Sequence, residues 1–238
     1  MGGARVEQVH NPAPLLDVYV AAIPPELEVG AVFSPARAKL LKETAALAMK
    51  RQRYLVWRLL EFAAAHSLGL DPAALVFEKA QEGRWFCPDF FFSLSHTEDA
   101  VAAAVSRSPV GVDVESLPAF ARRYAADPAL CGRMLRRIAA PEELAGCGGR
   151  EAETLLRLWT GKESLFKFRQ HGSFSPAETI CGEETCHLLL KLPPKVCLAV
   201  SSEVLPALRL FRFADESAAP IDPLPFSLLS DSLRREAE

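Results

Sequence analysis

The stretch Val110-Gly111-Val112-Asp113-Val114-Glu115 constrains the fold more than any other segment, because its last four residues alternate apolar and acidic. In an extended chain, side chains at i and i+2 share a face, so Val112 and Val114 enter apolar packing while Asp113 and Glu115 point together the other way. Two carboxylates side by side at the end of a hydrophobic strand repel each other unless a cation lies between them. Hard oxygen ligands at this spacing suit Mg²⁺, which keeps several waters and takes its other ligands from one or two carboxylates and a substrate's phosphates. A solvated strand end followed by a loop would carry the same residues.

A second cluster lies downstream. Glu151 to Gln170 reads as a helix with Leu155, Leu158, Trp159 and Phe166 on its apolar face. Within it, Glu163 and Lys167 stand one turn apart on a single face. A surface ion pair of this kind contributes little. Beside a metal site the two residues would add a third carboxylate and an ammonium for phosphate, and Lys162 another positive charge. Gly161 costs roughly 1 kcal/mol relative to Ala inside a helix, so the backbone there is expected to kink or to approach a partner closely.

The rest of the chain frames these clusters. Ser34-Pro35 supplies an N-cap and a first-turn proline, and Arg37 to Ala65, free of Gly and Pro, is expected to be helical throughout or nearly so. Leu40, Leu47, Leu55, Leu59 and Phe62 form its candidate buried stripe. Its basic residues, among them Arg37, Arg53 and Arg58, are a solvated face unless something anionic lies beside them. Gly69 and Asp71-Pro72 break the helix. Ala74 to Lys79 reads as a short strand, Gln81 to Arg84 as a turn, and Phe90 to His96 and Asp99 to Arg107 as further extended segments.

Composition removes several classes of function. The 238 residues are 50% hydrophobic and 24% charged, which is soluble globular protein in one large or two small domains. No run approaches the roughly 20 apolar residues of a membrane helix. The start, Met1 to Glu7, lacks the order of a secretory signal, and Val6 breaks the myristoylation pattern after Gly2. A net charge of -3 and a pI near 6.0 argue against a dedicated nucleic-acid binder. The six cysteines contain no C-x-x-C pair and read as reduced thiols in a cytoplasmic protein. Cys181, Cys186 and His187 lie close together, but no second pair has zinc spacing.

Three ordered blocks carry a family resemblance: Ser93-Leu94-Ser95-His96, Gly111-Val112-Asp113-Val114-Glu115, and Trp159-Thr160-Gly161-Lys162-Glu163-Ser164-Leu165-Phe166-Lys167. Together they resemble the Asn-Ile/Leu-Ser-His, Gly-Ile/Val-Asp-Ile/Val-Glu and Trp-x-x-Lys-Glu-Ser/Ala-x-x-x-Lys blocks of 4′-phosphopantetheinyl transferases of the surfactin-synthetase-activating type. Ser34-Pro35-x-Arg37, Arg53-Tyr54, Gly83-Arg84 and Pro141-Glu142-Glu143 extend the likeness over about residues 30 to 200. Ser93 stands where the family has Asn, and Arg84-Trp85 where it has Lys-Pro.

The resemblance implies an α+β fold of two similar α/β halves related by a pseudo-twofold axis, residues 1–109 and 110–238, with the active site in the cleft between them. The reaction it implies moves 4′-phosphopantetheine from coenzyme A to a serine of an apo acyl or peptidyl carrier protein, releasing adenosine 3′,5′-bisphosphate. Asp113, Glu115 and Glu163 would hold Mg²⁺. Glu163 would be the base, directly or through a water, and Lys167 would bind the pyrophosphate or protonate the departing group. Arg37, Arg53 and His96 are expected near the 3′-phosphate, Ser95 and Arg84 around the nucleotide, and Lys162 among the cofactor-binding cations. Glu143 is expected to be structural or to support the residues of the site. The carrier would dock between Ala119 and Ile138, where Arg122, Arg123, Arg133, Arg136 and Arg137 concentrate charge. No nucleic acid or membrane is expected as partner, and a monomer would suffice. A catalytically silent CoA-binding protein and an unrelated Mg²⁺-dependent phosphohydrolase are the other readings of the same residues.

Overall fold

The computed structural model describes residues 14–80, 84–170 and 172–237; the expectations for Met1 to Glu7 and for Gln81 to Gly83 lie outside the described residues. The chain opens with β1 (Leu16–Ala22), α1 (Pro35–Glu43) and α2 (Leu47–Leu68). A short hairpin of β2 (Glu78–Lys79) and β3 (Trp85–Phe86) precedes β4 (Phe91–His96), β5 (Ala100–Ser106) and β6 (Gly111–Ser116). Next come α3 (Leu117–Phe120), a π-helical turn Ala121–Ala125, α4 (Pro128–Ile138), α5 (Pro141–Ala145) and the long α6 (Glu151–Arg169). The chain closes with β7 (Thr185–Leu190), β8 (Val196–Ser201), β9 (Leu208–Ala214), β10 (Ser217–Pro220) and α7 (Leu229–Ala237).

Two sheets form the mixed α and β framework, one ordered β10-β9-β1-β5-β4 and the other β6-β8-β7. In each, a strand leads through helices to an antiparallel pair whose second member returns to the centre: β1-β5-β4 and β6-β8-β7 have the same first-third-second order. Period-two alternation sorts the side chains. Tyr19, Val101, Ala103 and Val105 face α2, and its buried Leu55, Trp57, Leu59 and Leu60 complete that core. Leu16, Val18, Val20, Ala102 and Ala104 of one sheet share a second core with Val112, Val114, Leu198 and Val200 of the other. Leu155, Leu156 and Leu158 of α6 cover the opposite face of the second sheet together with α4 and α7.

Several expectations change. The segment expected to be continuous helix from Arg37 to Ala65 divides at Thr44, whose backbone is extended (ψ 110°). Its hydroxyl donates back to Leu40 O at 2.7 Å, a local bond that competes with helix propagation. Leu47, taken for part of the buried stripe, is exposed at the start of α2, whereas Leu55 and Leu59 are buried. From Ala74 only Glu78 and Lys79 form a strand. The C-terminal stretch also does not stay with the second sheet. β9 pairs in parallel with β1, and Arg209 grips the fully buried Asp17 through two bonds of 2.7 and 2.6 Å.

The two sheets are joined through hydroxyls. Val112 N–H donates to Ser93 Oγ at 3.0 Å and Val114 N–H to Ser95 Oγ at 3.3 Å, so side chains of β4 serve the edge of β6 that β8 leaves unpaired. On the other side α6 lies so close that a Cβ at Gly111 would sit 1.8 Å from Ser164 O. Only glycine permits that approach, and it brings Asp113 and Glu115 against the helix that carries Glu163 and Lys167.

Candidate active site

Lys167 stands at the centre of the assembled groups. Its ammonium donates to Asp113 Oδ1 at 2.8 Å and to Val112 O at 3.1 Å, binding α6 to β6. Ser95 Oγ donates to the same Asp113 oxygen at 2.7 Å. Asp113 Oδ2 is buried and has no hydrogen-bond partner. A buried carboxylate oxygen left open in this way is an acceptor awaiting a donor or a cation.

Glu115 lies on the same face, as the alternation requires. Burial first, then the charge of Asp113 and more weakly that of Glu163, raise its carboxyl to about 8 against the opposing pull of Lys167 and a hydrogen bond from Trp159. Glu163 is also raised, chiefly by burial, with Lys167 opposing and Asp113 reinforcing. Asp113, Glu115 and Glu163 thus feel one another's charge in a desolvated region beside Lys167. Among the described residues no group of three or more His, Cys, Asp or Glu side chains converges as a ready metal cage. The donor set nonetheless fits a hard divalent ion: carboxylate oxygens only, one of them unpartnered, with mutual repulsion that a cation would relieve.

Cations from the first half of the chain border this spot. His96 ends β4, and its imidazole is held below its ordinary range by desolvation and by the charges of Lys167, Arg53 and Arg37. Arg37 is buried under two indoles, 4.4 Å from the Trp57 ring centre and 5.3 Å from that of Trp85. Desolvation, then repulsion from Arg53, lowers Arg37 to about 10. A buried guanidinium flanked by a second arginine favours an anionic guest. Arg53 itself donates to Thr44 Oγ1 at 2.7 Å, so the residue that interrupts the helix also aims this side chain. Arg84 stacks over the Phe166 ring at 4.9 Å, and its Nη1 is buried without a partner. It shares a cavity of about 520 Å³ with Lys167, Trp85 and Phe92.

Two expected residues are used differently. Ser95, expected around a nucleotide, spends its hydroxyl on Asp113 and Val114 and so fixes the carboxylate. Lys162 is fully buried on the other side of α6 and bonded to Ile138 O, Glu143 Oε2 and Pro176 O. Glu143 is structural, as expected, also accepting Ala140 N–H at 2.8 Å. Arg58 belongs to a structural pair with Glu61, at 2.8 Å, rather than to the site. Gly161 proves to be a close approach and not a kink, since a Cβ there would lie 2.8 Å from His187 Nε2 and 3.0 Å from Cys181 Sγ. Sequence reasoning missed Trp159 as a polar participant; its spacing of four from Glu163, which is four from Lys167, was the available signal. The platform of Trp57 and Trp85 under Arg37 joins residues far apart in sequence and left no such signal.

On the far side of Glu115 and Trp159 a cavity of about 490 Å³ opens past Phe120, Arg122, Arg123 and Tyr124. The π-helical turn presents these last residues, and Arg122 pairs with Glu98.

Comparison with known proteins agrees with this arrangement. Residues 109–192, from the start of β6 to just beyond β7, match the sequence model of the 4′-phosphopantetheinyl transferase superfamily. The chain is also 26% identical over 144 residues to a 4′-phosphopantetheinyl transferase of Bacillus subtilis, a match that takes in 57% of this chain. The chain spans 60% of the length of that relative. The strand of paired carboxylates and the helix of Glu163 and Lys167 both fall inside the stretch that matches this superfamily model.

Proposed function

We propose that the chain transfers the 4′-phosphopantetheine group of coenzyme A to a serine of an apo acyl or peptidyl carrier protein. The observation that carries this reading is the pairing of Lys167 with Asp113, whose Oδ2 is unpartnered, within electrostatic reach of Glu115 and Glu163 and of the cations Arg37 and Arg53 that also act on His96. Anionic groups that need a cation and cations that need an anion, side by side, suit a pyrophosphate bearing a further phosphate.

Asp113, Glu115 and Glu163 would hold Mg²⁺, which when bound neutralises charge on the pyrophosphate. Lys167, with two of its protons committed to β6, turns the third toward the pyrophosphate. Arg37, Arg53 and His96 take the 3′-phosphate, and Arg84 the nucleotide beside it. Glu163, whose raised carboxyl makes it a better proton acceptor than an exposed glutamate, receives the proton of the carrier serine. The serine oxygen then forms a bond to the β-phosphorus, and the bond to the bridging oxygen breaks, releasing adenosine 3′,5′-bisphosphate.

The recurring strand order supports two halves, 1–109 and 110–238, related by a pseudo-twofold axis with the site in the cleft between them, although residues 208–220 return to the first sheet. Such a cleft is complete in one copy, so a monomer would act alone. The six free cysteines fit a reducing cytoplasm. The carrier would dock along Arg122 and Arg123 toward the 490 Å³ cavity. Incubation with CoA, Mg²⁺ and a panel of apo carrier proteins, followed by intact-mass measurement, tests the reading. A mass gain of one phosphopantetheine on a carrier is expected; CoA binding with no gain on any carrier would sink it, and phosphate release without a carrier would indicate a phosphohydrolase.

A further inference from the structure

Among the cations expected around phosphate, Lys162 is turned away from open space, and its surroundings assign it another task. Its ammonium is fully buried and has three acceptors: Ile138 O at 3.0 Å at the end of α4, Glu143 Oε2 at 2.6 Å on α5, and Pro176 O at 2.9 Å beyond α6. An ammonium has three protons, so none remains for a ligand. Successive helix residues differ in direction by roughly 100°, so whatever fixes the rotation of α6 at residue 162 also fixes where residues 163 and 167 point. The contacts of Gly161 with His187 and Cys181, and of Ser164 with Gly111, grip the same turn from two more sides.

We infer that Lys162 is a positioning residue. By tying α6 to α4, α5 and the segment at Pro176, it sets the rotation that brings Glu163 and Lys167 to Asp113, and it takes no part in holding CoA. Its effect on catalysis rests on the proposed transfer reaction; its effect on the geometry of α6 does not.

The test uses Lys162→Met and the milder Glu143→Gln, which weakens the same tie while leaving the backbone acceptors. With folding checked by circular dichroism, both should lower kcat, by about a hundredfold for Lys162→Met, while CoA affinity by calorimetry stays within about threefold of wild type. Because both act on one tie, the double variant should lose less than the product of the single losses. Independently of activity, the indole N–H resonance of Trp159, which bonds to Glu115, should shift in both variants, while those of Trp57 and Trp85 in the α2 core stay in place. A fall in CoA affinity parallel to the fall in kcat would overturn the inference in favour of a ligand role. A folded Lys162→Met protein with an unmoved Trp159 resonance would overturn it as well. If the wild-type chain transfers nothing, the functional reading fails and the tie is judged on the Trp159 resonance and on coupled losses in melting temperature.

Discussion

Glu115 is the residue whose chemistry and stability oppose each other. Its carboxyl ionises near 8 in the folded chain but at its ordinary value of 4.5 when unfolded. Between those values the folded state binds more protons than the unfolded one, so in metal-free buffer stability falls as pH rises from about 4.5 to about 8 and levels off above. His96, lowered from 6.5, acts with the opposite sign only below that value, so the decline above pH 6.5 belongs to the raised carboxylates. Melting temperatures measured in chelator should show this slope, and Glu115→Gln should flatten it and be more stable than wild type at pH 8 while losing turnover. An unchanged slope in that variant would show that Glu115 ionises normally. Glu163→Gln should reduce turnover by roughly 10²–10⁴-fold, the span of a lost general base, with a much smaller loss of CoA affinity by calorimetry. Asp113, Glu115, Glu163 and Lys167 were legible in sequence because strand period two and helix period four each put two of them on one face. The tie at Lys162 was not, because it joins a lysine to backbone carbonyls 24 and 14 residues away, and no side-chain pattern records a carbonyl.

At the scale of elements, the contact of β6 with α6 sets the site's dimensions. Gly111→Ala would place a methyl group against backbone, which cannot swing aside, whereas Gly161→Ala would meet His187 and Cys181 side chains that can. Thermal melts should therefore show Gly111→Ala destabilised by about 3 kcal/mol or more and Gly161→Ala by less, the range of overpacking strain. Equal losses would mean that α6 yields at both places alike. Strands β4, β5 and β6 and helix α6 followed from local pattern. The break between α1 and α2 did not, since Ala, Leu and Lys on both sides of Thr44 favour helix and only a local hydroxyl bond, with Arg53 engaging the same oxygen, ends it. The return of β9 to β1 was equally hidden, because strand pairing over that distance is decided by which edge remains open.

At the scale of the molecule, acidic and basic groups separate although the net charge is only -3. The carboxylates gather on β6 and α6, with arginines on both flanks. Exposed ion pairs are worth up to about 1 kcal/mol each, so reversing Arg122 and Arg123 together should raise the KM for the carrier roughly tenfold, with kcat and CoA affinity unchanged. Steady-state kinetics with varied carrier would show this, and an unchanged KM would move the docking surface elsewhere. The pairing of β1 with β9 has a consequence in time. Leu16–Val20 is made well before Leu208–Arg212, and one edge of that strand has no partner until the later segment has been made. During synthesis the strand can hold only its antiparallel neighbour β5, and its other edge and the buried Asp17 stay open to solvent. The sheet therefore stays unfinished on the nascent chain until the arrival of Arg209 closes it.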